Sequence, residues 1–128
     1  MNKNLIELIK CSIKAKKNSY SPYSKFKVGA AILTENGKIF SGANVECASY
    51  SLTICAERAA AVNAISAGEI KFKFIAIATN KRPFAYPCGA CLQFLIEFSS
   101  NMKVILVKSE KEYKIFDLIE LLPQKFKL

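Results

Sequence analysis

The sequence predicts an α/β protein of three layers, α/β/α, with helices on both faces of a mixed sheet of about five strands. Three observations carry this reading. Two β-prone segments flank Glu35-Asn36-Gly37, and an Asn-Gly pair between such segments is a strong hairpin signal. Past the hairpin, helical and β-prone segments alternate, the pattern of strands joined by crossover helices. The run FKFIAIAT at 72–79 is β-prone and, apart from Lys73 and Thr79, apolar, as in a strand covered on both faces. A chain of 128 residues is the size of one ordinary domain, and 1–128 is read as a single domain with a core of its own.

Each element follows from local pattern. Residues 4–17 place Leu5, Ile6, Leu8, Ile9, Cys11 and Ile13 at the spacing of a helix with one buried face. The Pro and Ser/Asn cluster in NSYSPYS, 18–24, breaks that period and makes a loop. FKVGAAIL, 26–33, is the first strand and KIFSG, 38–42, its return; ANVEC, 43–47, is a polar segment just past a strand end. The alanine-rich stretch 55–67 is a helix stopped at Gly68. After the strand at 72–79 come a loop at 81–87, a helix at 88–98, a short buried strand at 104–107, a last strand at 113–116, and a short helix at 117–122 ended by Pro123. Helix starts that follow strands gather at one edge of such a sheet, where ligands bind. The segments holding Cys55 and Cys88 both open helices, so they can converge there.

Composition narrows the function. The net charge is +9, but the lysines are spread along the chain and mostly sit singly between apolar residues, so no nucleic-acid partner is expected. No apolar run approaches the roughly 20 residues of a membrane span, and no membrane partner is expected. The N-terminal stretch lacks the pattern of a secretory leader, and five cysteines cannot all pair, so a reduced, cytoplasmic protein is expected. With no histidine, a metal site must use cysteine or carboxylate, and a general acid or base must be Glu, Asp or Lys.

The stretch TICAERAA, 53–60, and the stretch PCGAC, 87–91, carry the chemistry. Cys88 and Cys91 form a C-x-x-C pair that can grip one ion, and Cys55 at the neighbouring helix start supplies a third thiolate. Three protein ligands leave one of zinc's four positions open, the count of a catalytic site. Cys11 belongs to the apolar face of the first helix; Cys47, in the polar segment, is a weaker candidate for a fourth ligand. Three thiolates and Zn²⁺ sum to one negative charge, which Arg58, three residues after Cys55, offsets by donating to sulfur. Glu57, two residues after Cys55, suits a proton carrier beside the metal better than a ligand.

These blocks resemble the small homotetrameric zinc-dependent cytidine deaminases. The resemblance runs through SPYSKFKVGAAI, FSGANVE, TICAERAA, PCGACLQ and the closing LLPQKF, in that family's order. It implies a cytidine deaminase-like fold and hydrolytic deamination of free cytidine and 2′-deoxycytidine to the uridines plus ammonia, in pyrimidine salvage. It implies one zinc per subunit on Cys55, Cys88 and Cys91, with Glu57 as the catalytic residue moving a proton from water to N3 and then to the amine leaving C4. Asn44 and Glu46 would bind the ribose hydroxyls, Phe26 would lie against the pyrimidine, and the backbone of Ala56 would contact the base. It further implies a homotetramer with shared active sites, Tyr50 and Phe126 coming from neighbouring subunits. The chain departs from the family at Leu92, where arginine is common, and in its short tail. Other readings stay open at this point: a related deaminase acting on another nucleoside such as blasticidin S, a polynucleotide deaminase, a zinc-stabilised fold without catalysis, and a thiol-redox role for Cys88 and Cys91.

Overall fold

The computed structural model describes residues 3–128, so the first two residues of the span read as one domain lie outside it. Helix α1, Lys3–Lys16, buries Leu8, Ile9, Ser12 and Ala15. Ile6, counted on the buried face from its spacing, is 42% exposed instead, because the stripe that meets the sheet runs through Leu8, Ser12 and Ala15. The hairpin follows as β1, Val28–Thr34, and β2, Ile39–Ala43, with Gly37 in the left-handed region its turn requires. A short 3-10 turn, Tyr50–Leu52, was not foreseen and precedes α2, Ala56–Ser66. Then come β3, Phe72–Thr79, α3, Gly89–Ile96, β4, Lys103–Val107, β5, Tyr113–Asp117, and α4, Leu118–Leu121. Strand β1 starts two residues later than its pattern suggests. Lys25 turns the chain with a φ of 61°, and the Lys27 amide bonds the Asn80 side chain, not a neighbouring strand.

The five strands lie in the order β2-β1-β3-β4-β5. β1 runs antiparallel to β2 and β3, β3 is parallel to β4, and β5 returns antiparallel. This is the mixed sheet expected from the alternation of elements, with the mostly apolar run as its central strand. Alternate residues serve two cores. Ala30, Ile32, Ile75, Ile77, Val104 and Leu106 face α2 and α3, while Ala31, Leu33, Ala76, Ala78, Ile105 and Val107 face α1. Leu92 lies in the first of these cores at 6% exposure, so apolar packing against the sheet accounts for a leucine there. No described helix is long and apolar enough to cross a membrane.

Two glycines set how closely the helices approach. A Cβ at Gly29 would stand 2.3 Å from the backbone of Ser12 and Lys16 on α1, and one at Gly42 would stand 2.5 Å from the Ala60 amide nitrogen on α2. These are rigid backbone atoms, so α2 rests on β2 only because position 42 has no side chain and positions 59 and 60 are alanine. Gly42→Ala is therefore expected to lower the unfolding free energy by about 1–3 kcal/mol through overpacking. Gly89→Ala, whose Cβ meets nothing within 4 Å, is expected to stay within about 0.5 kcal/mol of the parent. Urea denaturation of the two variants checks the contrast.

Candidate metal centre and active site

The two helix starts meet at one edge of the sheet. Cys55 is the N-cap of α2 and Cys88 the N-cap of α3, both in extended backbone conformation, and neither side chain caps its own helix. Cys91 lies within the first turn of α3 and is fully buried. The three Sγ atoms lie within 4.8 Å of one another. Tetrahedral zinc with ~2.3 Å bonds to sulfur needs its sulfurs about 3.8 Å apart, so modest rotamer adjustment brings the three onto one ion. A soft three-thiol donor set fits zinc in chemistry as well as spacing. Among the described residues no other group of three metal-binding side chains comes together. Cys47 is outside the cluster, and Cys11 is half-buried against the core under α1, as its helical position suggested.

Electrostatics at the cluster favour a thiolate. The neighbouring Cys91 thiol and then Arg58 hold Cys55 down to about 5, against the opposing effect of its burial. Cys91 is correspondingly raised, first by its bond to Cys55 and then by burial. Arg58 donates from its guanidinium to Cys55 Sγ at 3.8 Å, and this contact raises its own pKa. The contact is the one its spacing predicted, while its Nε is buried without a partner among the described residues. Glu57 is 6% exposed in the same helical turn, and burial, reinforced by the Cys55 charge, pushes its carboxyl up to about 7.

A pocket of about 300 Å³ opens above these groups. Cys55, Cys88, Ala56 and Glu57 line it together with Phe26, Asn44, Glu46 and Tyr50. Asn44 is held by Val28, whose N–H donates to its Oδ1 at 3.0 Å, by the Ser19 hydroxyl, and by its own Nδ2 donating to the Phe26 carbonyl at 2.7 Å. Those bonds use both lone pairs of Oδ1 and leave one amide N–H for a ligand. The Glu46 carboxylate accepts from the Tyr23 and Ser24 amides at 3.0 and 3.1 Å, from the Ser24 hydroxyl, and from the Tyr50 hydroxyl at 3.2 Å. Desolvation opposes its charge, yet these bonds, led by those from Ser24, keep its pKa below the ordinary value.

Tyr50 lines the pocket of its own chain, where the 3-10 turn beginning at Tyr50 folds its hydroxyl back onto Glu46, four residues earlier. Phe126 does not reach this pocket. It is 69% exposed, and Gln93 on α3 brackets its backbone, accepting from its N–H at 2.9 Å and donating to its carbonyl at 3.1 Å. Sequence reading missed Ser24, Thr53, Val28, Ala85 and Tyr86, which also line the pocket. For Ser24 a signal existed in its place beside an Asn/Ser-rich loop, since short hydroxyl side chains bond nearby backbone and carboxylates. For Ala85, Tyr86 and Val28 there was none, because their place depends on how a loop and a strand end meet across the sheet.

A three-layer α/β/α fold with three thiols at two helix starts and a buried carboxylate beside them defines a zinc enzyme. The chain belongs to the cytidine and deoxycytidylate deaminase family: residues 2–108 match its zinc-binding region. A probable cytidine deaminase of Dictyostelium discoideum is 48% identical, over 96% of this chain and 86% of its own length. A cytidine deaminase of Halalkalibacterium halodurans is 45% identical, over 93% and 91%. The crystal structure of a cytidine deaminase from Burkholderia pseudomallei superposes with a TM-score of 0.89 at 40% identity, covering 98% of this chain and all of that one.

Cys91→Ala is expected to reduce bound zinc from about one per chain to a small fraction of that, while Cys47→Ala leaves it unchanged. Elemental analysis of the purified variants reads both outcomes.

Proposed function

We propose that this chain is a zinc-dependent cytidine deaminase that hydrolyses free cytidine and 2′-deoxycytidine to the corresponding uridines and ammonia, as in pyrimidine salvage. One observation carries the reading: a single pocket is lined by two of the three clustered thiols, a buried glutamate and a bonded Asn/Glu pair. That arrangement suits a ligand with a reactive ring at one end and sugar hydroxyls at the other. The named relatives support the same chemistry.

Cys55, Cys88 and Cys91 hold the zinc, whose contribution when bound is Lewis acidity toward an oxygen nucleophile. Glu57 accepts the proton of the attacking water, gives it to N3 of the ring, and carries the next to the amine at C4. The new C–O bond remains, the C–N bond breaks, and ammonia departs. The depth of Glu57 beside the cluster supports this role, since a proton shuttle works best shielded from bulk water. The Ala56 backbone meets the base, and Phe26 forms the wall along the ring. Arg58 draws charge from the thiolates.

Asn44 donates its remaining N–H to a ribose hydroxyl. Glu46 takes a second hydroxyl in exchange for that of Tyr50, the longest of its four contacts. A buried carboxylate at this end repels a 3′-phosphate, which argues for free nucleosides over a polynucleotide. We read residues 1–128 as one domain, the protein as cytoplasmic, and its assembly as a homotetramer with shared sites. The exposed Phe126 ring, fixed by Gln93 away from its own pocket, supports that sharing.

Purified protein should remove the absorbance of cytidine and release ammonia in equal amounts; zinc-replete protein without turnover would falsify the assignment. Glu57→Gln is expected to keep its zinc and lose activity by about 10²–10⁴-fold. Shared sites make a further prediction. Mixed and reassembled Glu57→Gln and Phe126→Ala chains should exceed the sum of their separate activities, because some sites then combine an intact Glu57 with a neighbour's intact Phe126. Simple additivity would assign Phe126 to its own chain or to no site.

A further inference from the structure

Residues 80–82 hold the rim of the pocket from the end of β3, the strand beside β1. Asn80, the first residue after β3, makes three hydrogen bonds to the backbone on either side of Phe26. Its Oδ1 accepts from the Lys27 N–H at 2.8 Å, its Nδ2 donates to the Lys25 carbonyl at 3.2 Å, and its own N–H donates to the Lys27 carbonyl at 3.2 Å. Lys81 Nζ donates to the Ser24 carbonyl at 2.5 Å, and the Arg82 guanidinium carbon stands 6.0 Å from the centre of the Phe26 ring. The segment so gripped includes Lys25, with a φ of 61°, the one non-glycine residue in the left-handed region among the described residues. Lysine has no preference for that region and stays there only when its surroundings hold it. A single carboxamide that takes the carbonyl of residue 25 and the N–H of residue 27 favours that turn, and residue 26 lies between the two.

The Phe26 backbone is thus bracketed twice. Asn44 bonds the Phe26 carbonyl and the Val28 amide from the end of β2. Asn80 bonds its neighbours from the end of β3. Asn44 faces the pocket, whereas Asn80 is exposed and does not line it. We infer that Asn80 is a positioning residue: by holding Lys25 in the left-handed conformation it sets where the Phe26 ring stands, and so how closely the pocket receives the base of its substrate. The inference rests on the reading of Phe26 as the wall against the base.

The test is a set of substitutions assayed with cytidine on zinc-loaded protein. Asn80→Ala should raise KM about five- to tenfold and leave kcat within about twofold, since substrate placement changes and the proton-transfer groups do not. Zinc content and Tm should stay at the parent values. Adding Lys25→Gly should recover most of that loss, because glycine enters the left-handed region freely, while Lys25→Gly alone has little effect. A rise in KM that Lys25→Gly does not recover overturns the inference. So does a loss confined to kcat or accompanied by loss of zinc. Phe26→Ala separates the two levels of argument. If it raises KM while Asn80→Ala does not, the positioning role fails and the pocket reading stands. If Phe26→Ala itself leaves KM unchanged, the reading of Phe26 fails and takes the inference with it.

Discussion

Two helices have to begin at the same point in space, and each begins with a cysteine. That requirement shapes the rest of the molecule. Cysteine is a poor N-cap; Ser, Thr, Asp or Asn in its place is worth about 1 kcal/mol to a helix. Here neither Cys55 nor Cys88 bonds its own helix, so both helices give up that stabilisation. In exchange, two sulfurs sit at adjoining helix starts, within reach of Cys91 and free to face a common ligand. The cluster then needs α2 and α3 on one face of the sheet at a fixed height. Gly42 and the alanines facing it set that height for α2, and Leu92 and Leu95 anchor α3 in the same core.

Two glutamates of one pocket are driven in opposite directions by their surroundings. Glu46 is met by two amides and two hydroxyls and is held ionised despite being buried. Glu57 lies at similar depth, but burial dominates and the thiolate beside it adds to the effect. A carboxylate saturated with donors suits binding, because a ligand hydroxyl can replace one donor without creating an unpaired charge. A carboxyl poised near neutrality suits moving a proton, since neither of its states is strongly preferred. The difference lies in the number of donors: Glu46 gathers two amides and two hydroxyls, and Glu57 has one backbone bond against its burial.

Much of this was legible in the sequence. The hairpin was fixed by Asn36-Gly37, the central strand by a mostly apolar, β-prone run, and the thiol cluster by C-x-x-C plus one cysteine at a second helix start. Those features are local, or rest on chemistry demanding enough to need few residues. What could not be read depends on contacts between distant segments. Ile6 falls within the helical period of α1 yet is exposed, because the period gives a stripe's width and not the angle at which the sheet meets it. Nothing in the spacing of Tyr50 announces a 3-10 turn that brings its hydroxyl to Glu46. Asn80 reads as an ordinary loop residue until the segment it holds is seen beside it.

The rim of the pocket is closed by bonds between residues far apart along the chain. The separation is 16 residues between Val28 and Asn44, 23 between Tyr23 and Glu46, 53 between Lys27 and Asn80, and 57 between Ser24 and Lys81. Helical turns and the hairpin, with the Val28–Asn44 bond at its end, close short loops; the bonds of Asn80 and Lys81 depend on the pairing of β1 with β3. Several are also at the surface, with few neighbours to make their opening cooperative with the core. Segment 23–27 is therefore tied to the ends of β2 and β3 by side chains and not by a strand ladder. The mouth of the pocket is thus held in place by the same long-range pairing that joins β1 to β3.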